Sequence, residues 1–328
     1  MLDKLFPLYL SVFFITFILT ALAERTLIPL LSRSARQPIY KEGPAWHETK
    51  DGTPTMGGLA FLLSVTLSLL LSSLFLFFIG DNTSSLSLLS IALFSLLNAS
   101  VGVVDDLTKL KRKKNAGLSP KQKLFIQFII AAVFVTVRAA VFGERGEIIF
   151  SFGRVELGFL YYPLVIFLLL GVINCANLTD GIDGLASSVA FAGAISLFYI
   201  SASLFKDTSI VCSAIIGASL GFLIFNINPA KVFMGDTGSL FFGALISSAV
   251  FSMKNPFIML FVGAVYVIEG VSVVMQVLFF KATSRRIFKM APLHHHLEKC
   301  GFSENKICMI AILTTLIASI PAFIFYLP

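Results

Sequence analysis

The stretch GGLAFLLSVTLSLLLSSLFLFFI, residues 57–79, carries no charged side chain and decides the class of fold. About 20 consecutive apolar residues are enough for a helix to cross the hydrocarbon core of a bilayer. Similar apolar runs recur at 7–23, 85–104, 124–142, 158–175, 185–204, 208–225, 238–253, 256–280 and 307–327. The sequence therefore predicts an all-α polytopic membrane protein with about ten transmembrane helices, built as one integral membrane domain over residues 1–328.

The composition supports the same class. The chain is 57% hydrophobic and only 13% charged, with a mean hydropathy of +0.90, whereas soluble domains are about 25% charged. The four cysteines lie far apart without CxxC spacing. We therefore expect neither a disulfide framework nor a zinc finger.

Basic residues predict the orientation. Most of the 25 lysines and arginines fall in the polar stretches 32–56, 105–123 and 281–306, and such loops stay on the cytoplasmic side. Both termini should then lie outside. Ala21-Leu22-Ala23 resembles a signal-peptide cleavage site, but cleavage would place the basic residues after it on the outer face, so we expect a retained helix. Anionic lipid headgroups account for the cluster at 111–114, and no nucleic-acid partner is needed.

Acidic side chains stand at the predicted inner ends of the spans, where an unpaired carboxylate is costly. The string VVDDLTK, 103–109, contains the vicinal pair Asp105 and Asp106. Vicinal aspartates repel each other unless a cation compensates, and Mg²⁺ prefers one or two carboxylates together with phosphate oxygens. A solvated helix C-terminus is the alternative, but acids there oppose the helix dipole.

Two further loops carry acids. The string NLTDGIDG, 177–184, has glycines for a tight backbone and side-chain oxygens for a nucleoside or a metal, although Asp183 could simply cap the next helix. The string NINPAKVFMGDTGS, 226–239, ends one run at Pro229 and starts the next beside Asp236, where free helix amides favour anions. An N-cap is the alternative there. The string has no Walker A pattern and is not a P-loop.

The string APLHHHLE, 291–298, contains three consecutive histidines. On a helix they diverge by about 100° each and cannot share one ion. With basic residues close by, phosphate binding or proton handling fits better. The string KDGTPTMGG, 50–58, adds a lysine and hydroxyls before the second run.

Six strings, taken in their order along the chain, resemble the phospho-N-acetylmuramoyl-pentapeptide transferases. They are KDGTPTMGG, DDLTK, GLSPKQK, NLTDGIDGLA, VFMGDTGSL and APLHHHLE. The resemblance extends from about Lys50 to Glu298. The wider polyprenyl-phosphate N-acetylhexosamine-1-phosphate transferase superfamily shares the acidic strings, whereas PTMGG and the histidines resemble the muramoyl branch. Lys289 and Leu297 depart from the arginine and the aromatic residue that are usual there.

The resemblance implies transfer of phospho-MurNAc-pentapeptide from UDP-MurNAc-pentapeptide to undecaprenyl phosphate, which yields lipid I and UMP in peptidoglycan synthesis. It implies Mg²⁺ as cofactor, a homodimer, contact with membrane lipids, and a location in the bacterial cytoplasmic membrane with the active site facing the cytoplasm. It also implies a break in the ninth helix near Glu269-Gly270 that opens a groove for the lipid tail. An internal hydrogen bond is the alternative for Glu269.

The resemblance also implies roles for residues. Asp236 corresponds to the metal ligand, and Asp105 with Asp106 to the catalytic pair, which could add metal ligands or take a proton from the lipid phosphate. His295 is placed with the catalytic residues. Phe233 is expected to stack on uracil, although an interfacial aromatic would look the same. The expected substrate-binding residues are Lys50, Thr55, Lys109, Lys121, Asn177, Asp180, Gly181, Asp183, Asn226, Phe233, His294 and His296.

The sequence alone leaves two other functions possible. A sibling transferase would use UDP-N-acetylglucosamine, and the histidine-rich loop is the feature that discriminates against it. A transporter would place ionisable groups near the midplane, often in paired repeats, but only Glu269 is clearly mid-span here. Substrate uptake without UMP release would indicate the transporter.

Overall fold

The computed structural model describes residues 2–35, 50, 52–112, 117–144 and 146–326. Residues 36–49 and the basic residues Lys113 and Lys114 lie outside this part of the chain. The helices are α1 (Leu2–Ser34), α2 (Gly58–Phe78), α3 (Asn82–Arg112), α4 (Pro120–Phe142), α5 (Tyr161–Thr179), α6 (Leu185–Ser201), α7 (Lys206–Asn226), α8 (Gly235–Ser252), α9 (Ile258–Val262), α10 (Ala264–Thr283), α11 (Leu293–Lys299), α12 (Glu304–Ala318) and α13 (Ile320–Tyr326).

The prediction of an all-α polytopic membrane protein is confirmed. Within the described residues, eight helices are long and apolar enough to cross a membrane, and α6 is a shorter apolar helix. The predicted run 238–253 forms α8, whose side chains are almost all buried. The number of crossings and their orientation stay predictions.

The ninth run, 256–280, is indeed interrupted, but at another place than expected. Helix α9 ends at Val262 and α10 begins at Ala264, so the break lies at Gly263. Helix α10 continues without interruption through Glu269 and Gly270. The last run is also divided, because α12 ends before Ser319 and α13 follows it.

A short antiparallel hairpin, β1 (Glu147–Phe150) and β2 (Gly153–Glu156), precedes α5 and was not predicted. It is fastened to the turn after α8, because Ile149 N–H donates to the Lys254 carbonyl at 3.1 Å. Asn255 Nδ2 donates to the Ile149 carbonyl at 2.8 Å. Strands this short depend on such tertiary contacts, which leave little trace in the local sequence.

Small polar side chains and aromatic rings join the helices. Ser73 on α2 and Ser85 on α3 bond to each other and to each other's backbone carbonyls, contacts worth about 0.6 kcal/mol each between membrane helices. Phe61 on α2 stacks on Phe242 of α8 with ring centroids 4.3 Å apart and meets Phe222 of α7 edge-on at 5.1 Å. These contacts fix α2 against α7 and α8.

Helix α4 has clear local boundaries. Ser119 caps its start with a reciprocal capping box to Gln122, and Pro120 occupies the first turn, where a missing N–H costs nothing. Its end is Gly143 in the left-handed conformation. The start of α4 lies beside the end of α3, which sets up the site described next.

Candidate active site

The vicinal aspartates lie near the C-terminus of α3 and are buried, with Asp105 0% and Asp106 1% exposed. Asp106 accepts the N–H groups of Asp236 at 3.2 Å and Thr237 at 2.9 Å, and the Thr237 hydroxyl at 2.7 Å. It therefore caps the N-terminus of α8, where free amides favour a negative charge. This contact explains how an acid can stand near a helix end whose dipole opposes it.

Gly102 allows this close approach of α3 to α8. A β-carbon at Gly102 would overlap the backbone of Asp236 and Thr237. The absence of a side chain brings Asp236 next to the pair, and one oxygen from each of Asp105, Asp106 and Asp236 lies within 4.8 Å of the others. Three converging carboxylate oxygens form a donor set of the kind that holds a hard divalent cation.

Two lysines reach this acidic cluster. Lys109 Nζ lies 2.8 Å from Asp105 Oδ2, 2.9 Å from Asp236 Oδ1 and 3.8 Å from Asp106 Oδ1. Lys123 Nζ lies 3.0 Å from Asp105 Oδ2 and also contacts Asp236 Oδ2. Burial alone would raise the pKa of the Asp236 carboxyl, but Lys109 and Lys123 together hold it below its ordinary value. Three carboxylates against two ammonium groups leave one surplus negative charge.

The sequence predicts Lys121 as a site residue, which stays a prediction, whereas the lysine of α4 that contacts the acidic cluster is Lys123. Lys121 is exposed, whereas Lys123 lies on the inward side of α4. The spacing along α4 favours Lys123 over Lys121. Gln127, Ala131 and Val135 follow Lys123 at intervals of four on the same helical face, and all three are buried. Lys109, by contrast, lies where it was expected.

The two aspartates of the 177–184 loop have different surroundings. Asp180 follows the end of α5, and burial together with the neighbouring Asp236 and Asp106 raises the pKa of its carboxyl well above the usual range. It is thus electrostatically part of the acidic cluster. Asn177, one turn earlier, donates from Nδ2 to Ser239 Oγ on α8 at 2.9 Å, which fastens this loop to the helix that carries Asp236.

Both carboxylate oxygens of Asp183 are engaged by partners outside the acidic cluster. Its Oδ1 accepts from Lys50 Nζ at 2.7 Å, and its Oδ2 accepts from Asn228 Nδ2 and Ala230 N–H, both at 3.0 Å. Glu304 at the start of α12 accepts from Lys50 Nζ and from the Asp183 N–H, both at 2.7 Å. Glu304 was also missed, and no local pattern in the sequence marks it.

The loop before α8 is held by backbone and amide contacts. Asn226 Oδ1 accepts from the Gly184 N–H at 3.1 Å, and its Nδ2 donates to the Val232 carbonyl at 2.8 Å. Phe233 N–H donates to the Pro54 carbonyl at 2.8 Å, and the Phe233 carbonyl accepts from Gly57 N–H at 2.9 Å. Phe233 as a whole is half-buried.

Thr55 lies between Pro54 and Gly57, the two residues whose backbone bonds to Phe233, and is 2% exposed. A β-carbon on Gly235 would lie 3.0 Å from Thr55 Oγ1 and 2.6 Å from Asp106 Oδ2. The hydroxyl is therefore near the acidic cluster, although it is not on an open surface.

The three histidines of α11 have different polar partners, although the His294 and His295 rings do not diverge but meet edge-on with centroids 4.2 Å apart. His294 is completely buried and lies against Glu269, its backbone N–H 3.2 Å from Oε1. His295 Nδ1 lies 2.6 Å from Glu298 Oε2. His296 Nδ1 accepts from the Lys289 N–H at 3.1 Å. They do not form a common ligand set.

Comparison with known proteins first identifies the class of protein to which this chain belongs. Residues 87–254 match the family model described as Glycosyl transferase family 4. The acidic cluster and the loops around it therefore belong to a membrane-embedded transferase.

A narrower match covers the segment before α2. Residues 50–62 match the phospho-N-acetylmuramoyl-pentapeptide-transferase signature 1. Curated phospho-N-acetylmuramoyl-pentapeptide-transferases from Bacillus thuringiensis (strain Al Hakam), Bacillus cereus (strain AH187) and Bacillus cereus (strain G9842) are each 40% identical to the chain over 298 residues, 89% of this chain and 90% of the relative. The chain belongs to the phospho-N-acetylmuramoyl-pentapeptide-transferase family.

Proposed function

We propose that this chain transfers phospho-MurNAc-pentapeptide from UDP-MurNAc-pentapeptide to undecaprenyl phosphate, giving lipid I and UMP. The observation that carries the proposal is the cluster of Asp105, Asp106 and Asp236, whose oxygens lie within 4.8 Å of one another beside two lysines. A phosphate attacking a diphosphate brings anions together, so positive charge must compensate before the reacting groups can be positioned.

The cluster suits Mg²⁺. Asp236, whose side chain is 14% exposed, is the accessible ligand, whereas Asp105 and Asp106 support it from buried positions. When bound, Mg²⁺ supplies charge neutralisation for the phosphate oxygens. The surplus charge of the cluster then changes from one negative to one positive, which favours an anionic substrate.

The protein's own groups then have separate tasks. Lys109 and Lys123 bring two ammonium groups to the place where the phosphates must meet. Asp106 fixes the start of α8 and with it the position of Asp236. Asp105 receives the Leu118 N–H at 2.7 Å, which holds the segment leading into α4. One of this buried pair takes the proton of the lipid phosphate in the proposed reaction.

The nucleotide side is proposed to include Asn177, Asp180, Gly181, Lys50 and the ring of Phe233. Asp183 and Asn226 contribute by holding Lys50 and the loop before α8 in place, since their polar atoms are engaged there. His295 and His296 lie on the same short helix as His294 and are proposed to serve substrate binding or catalysis from the cytoplasmic loop.

The chain is proposed to act as one membrane domain in the bacterial cytoplasmic membrane. The position of the acidic cluster at helix ends next to the basic polar stretches supports a cytoplasmic location, where a soluble nucleotide is available. A homodimer is proposed from the family alone.

The test is UMP release by the purified protein in nanodiscs with Mg²⁺ and undecaprenyl phosphate. UDP-MurNAc-pentapeptide and UDP-N-acetylglucosamine are offered separately. We expect UMP only from the first. Equal release from the second would replace this proposal by the sibling transferase activity, and substrate flux without UMP would indicate a transporter.

A further inference from the structure

Glu269 is a carboxylate in the interior of a membrane-spanning helix. It lies in the second turn of α10 and is 4% exposed. Acids at such positions are costly and are kept where a partner engages them. On the proposed function alone Glu269 has no task, because the acidic cluster is built from other helices.

The partner of Glu269 is His294. The His294 backbone N–H lies 3.2 Å from Oε1 and 3.3 Å from Oε2 of Glu269. The ring Nδ1 lies 3.2 Å from Oε2, which is within ion-pairing distance although not aligned as a hydrogen bond. One carboxylate thus accepts from the main chain of the first histidine and also lies against its ring.

His294 in turn packs on the 180–184 loop. Its side chain is completely buried, and a β-carbon at Gly181 would overlap its Nε2 and lie 2.8 Å from its Cε1. Only a glycine fits under this ring. The imidazole therefore determines how far the loop that carries Asp180 can move toward α11.

A second side chain of α10 holds the segment that precedes α11. Gln276 lies seven residues after Glu269, on the same face of the helix. Its Oε1 accepts from the N–H groups of Ile287 at 3.1 Å and Phe288 at 3.0 Å. Two side chains of one helix thus hold the segment that leads to the histidines.

We propose that Glu269 is a positioning residue: it fixes His294 against Gly181 and so sets the position of the 180–184 loop on the nucleotide side. His294 acts through this packing and does not touch the substrate. The inference rests on the proposed function, because it assigns the 180–184 loop to the nucleotide.

The experiment measures UMP affinity in the presence of Mg²⁺, together with KM and kcat for UDP-MurNAc-pentapeptide, on purified protein in nanodiscs. Glu269→Leu removes the acceptor, and Glu269→Gln keeps an acceptor for the N–H without the charge. The matched control is Ser272→Ala, a buried neighbour whose hydroxyl donates to the Glu269 backbone carbonyl at 2.7 Å.

We expect Glu269→Leu to weaken UMP binding and raise KM about tenfold, the size usual for groups that orient a functional side chain. The loss of kcat should be smaller. Glu269→Gln should fall between this variant and wild type, and Ser272→Ala should match wild type. Unchanged UMP affinity in both Glu269 variants, or an equal loss in Ser272→Ala, would overturn the proposal.

A compensation test keeps the proposal falsifiable if Glu269→Leu fails to fold. Gly181→Ala should weaken UMP binding because its methyl group overlaps the imidazole, and adding His294→Ala should recover part of the loss. Independent, additive losses would contradict the packing role. A wild-type protein that releases no UMP would instead refute the proposed function, so the two failures are distinguishable.

Discussion

Two buried charged clusters of this protein differ in their charge balance. In the Arg138 cluster, Arg138 donates from Nε at 2.9 Å and from Nη2 at 2.7 Å to Glu144 Oε1, while Nη1 bonds Ser87 and Ser90. The pair is neutral, and its side chains are 3% and 2% exposed. The acidic cluster has three carboxylates, two lysines and a partly exposed Asp236. The acidic cluster has surplus negative charge and an accessible carboxylate, which suit a site for a ligand. The neutral and buried Arg138–Glu144 pair instead joins helices.

The largest expected effect comes from the acidic cluster. Asp105→Asn, Asp106→Asn and Asp236→Asn should each lower UMP release by roughly a thousandfold or more, since each removes charge or position at the reacting phosphates. Asp236→Asn should leave thermal unfolding close to that of wild type, because it relieves surplus negative charge. Near-normal turnover in all three variants would refute the assignment.

Arg138→Met tests the Arg138 cluster. It leaves the Glu144 carboxylate buried without its partner, and we expect a loss of about 3 kcal/mol in the free energy of unfolding, measured by denaturation in detergent. The folded fraction should keep its kcat. The double variant Arg138→Met with Glu144→Gln is the control and should regain much of the stability.

Lys123→Gln and Lys121→Gln form a matched pair on one helix. Lys123 contacts two carboxylates of the acidic cluster, whereas Lys121 is exposed. We expect kcat/KM to fall about thirtyfold in the first variant, within the range typical of supporting groups, and less than about twofold in the second. An equal fall in both would mean that general surface charge, and not this contact, matters.

The smallest effect is expected at Glu304. Glu304→Gln should weaken one of the two contacts that hold Lys50, at a cost of about 1 kcal/mol, which corresponds to roughly fivefold in KM for the nucleotide substrate. The exposed neighbour Asn305→Ala is the control. A fall in kcat with no change in KM would place Lys50 at the chemical step.

Apolar length predicted most helices well. The run 124–142 became Pro120–Phe142 and 208–225 became Lys206–Asn226. The association of Asp105, Asp106 and Asp236 followed from placing all three at the same end of the spans. These predictions succeed because hydrophobicity and topology are properties of the local sequence.

Other features depend on contacts between distant segments. The hairpin before α5 is fastened by Lys254 and Asn255, and the helix break falls at Gly263 and not at Glu269. Asp180 and Asp183 look alike in the sequence, yet burial and the charges of Asp236 and Asp106 raise the pKa of the first, whereas the second holds Lys50. Such differences arise only once α7, α8 and α12 surround the loop.

The central claim is that the acidic cluster works with a divalent cation on two phosphate substrates. The direct measurement is UMP release by the wild-type protein in nanodiscs, with and without undecaprenyl phosphate, as Mg²⁺ is titrated and then removed with EDTA. We predict that release requires both the lipid phosphate and Mg²⁺ and returns when Mg²⁺ is restored. Undiminished release after chelation, or release that ignores the lipid phosphate, would contradict the claim.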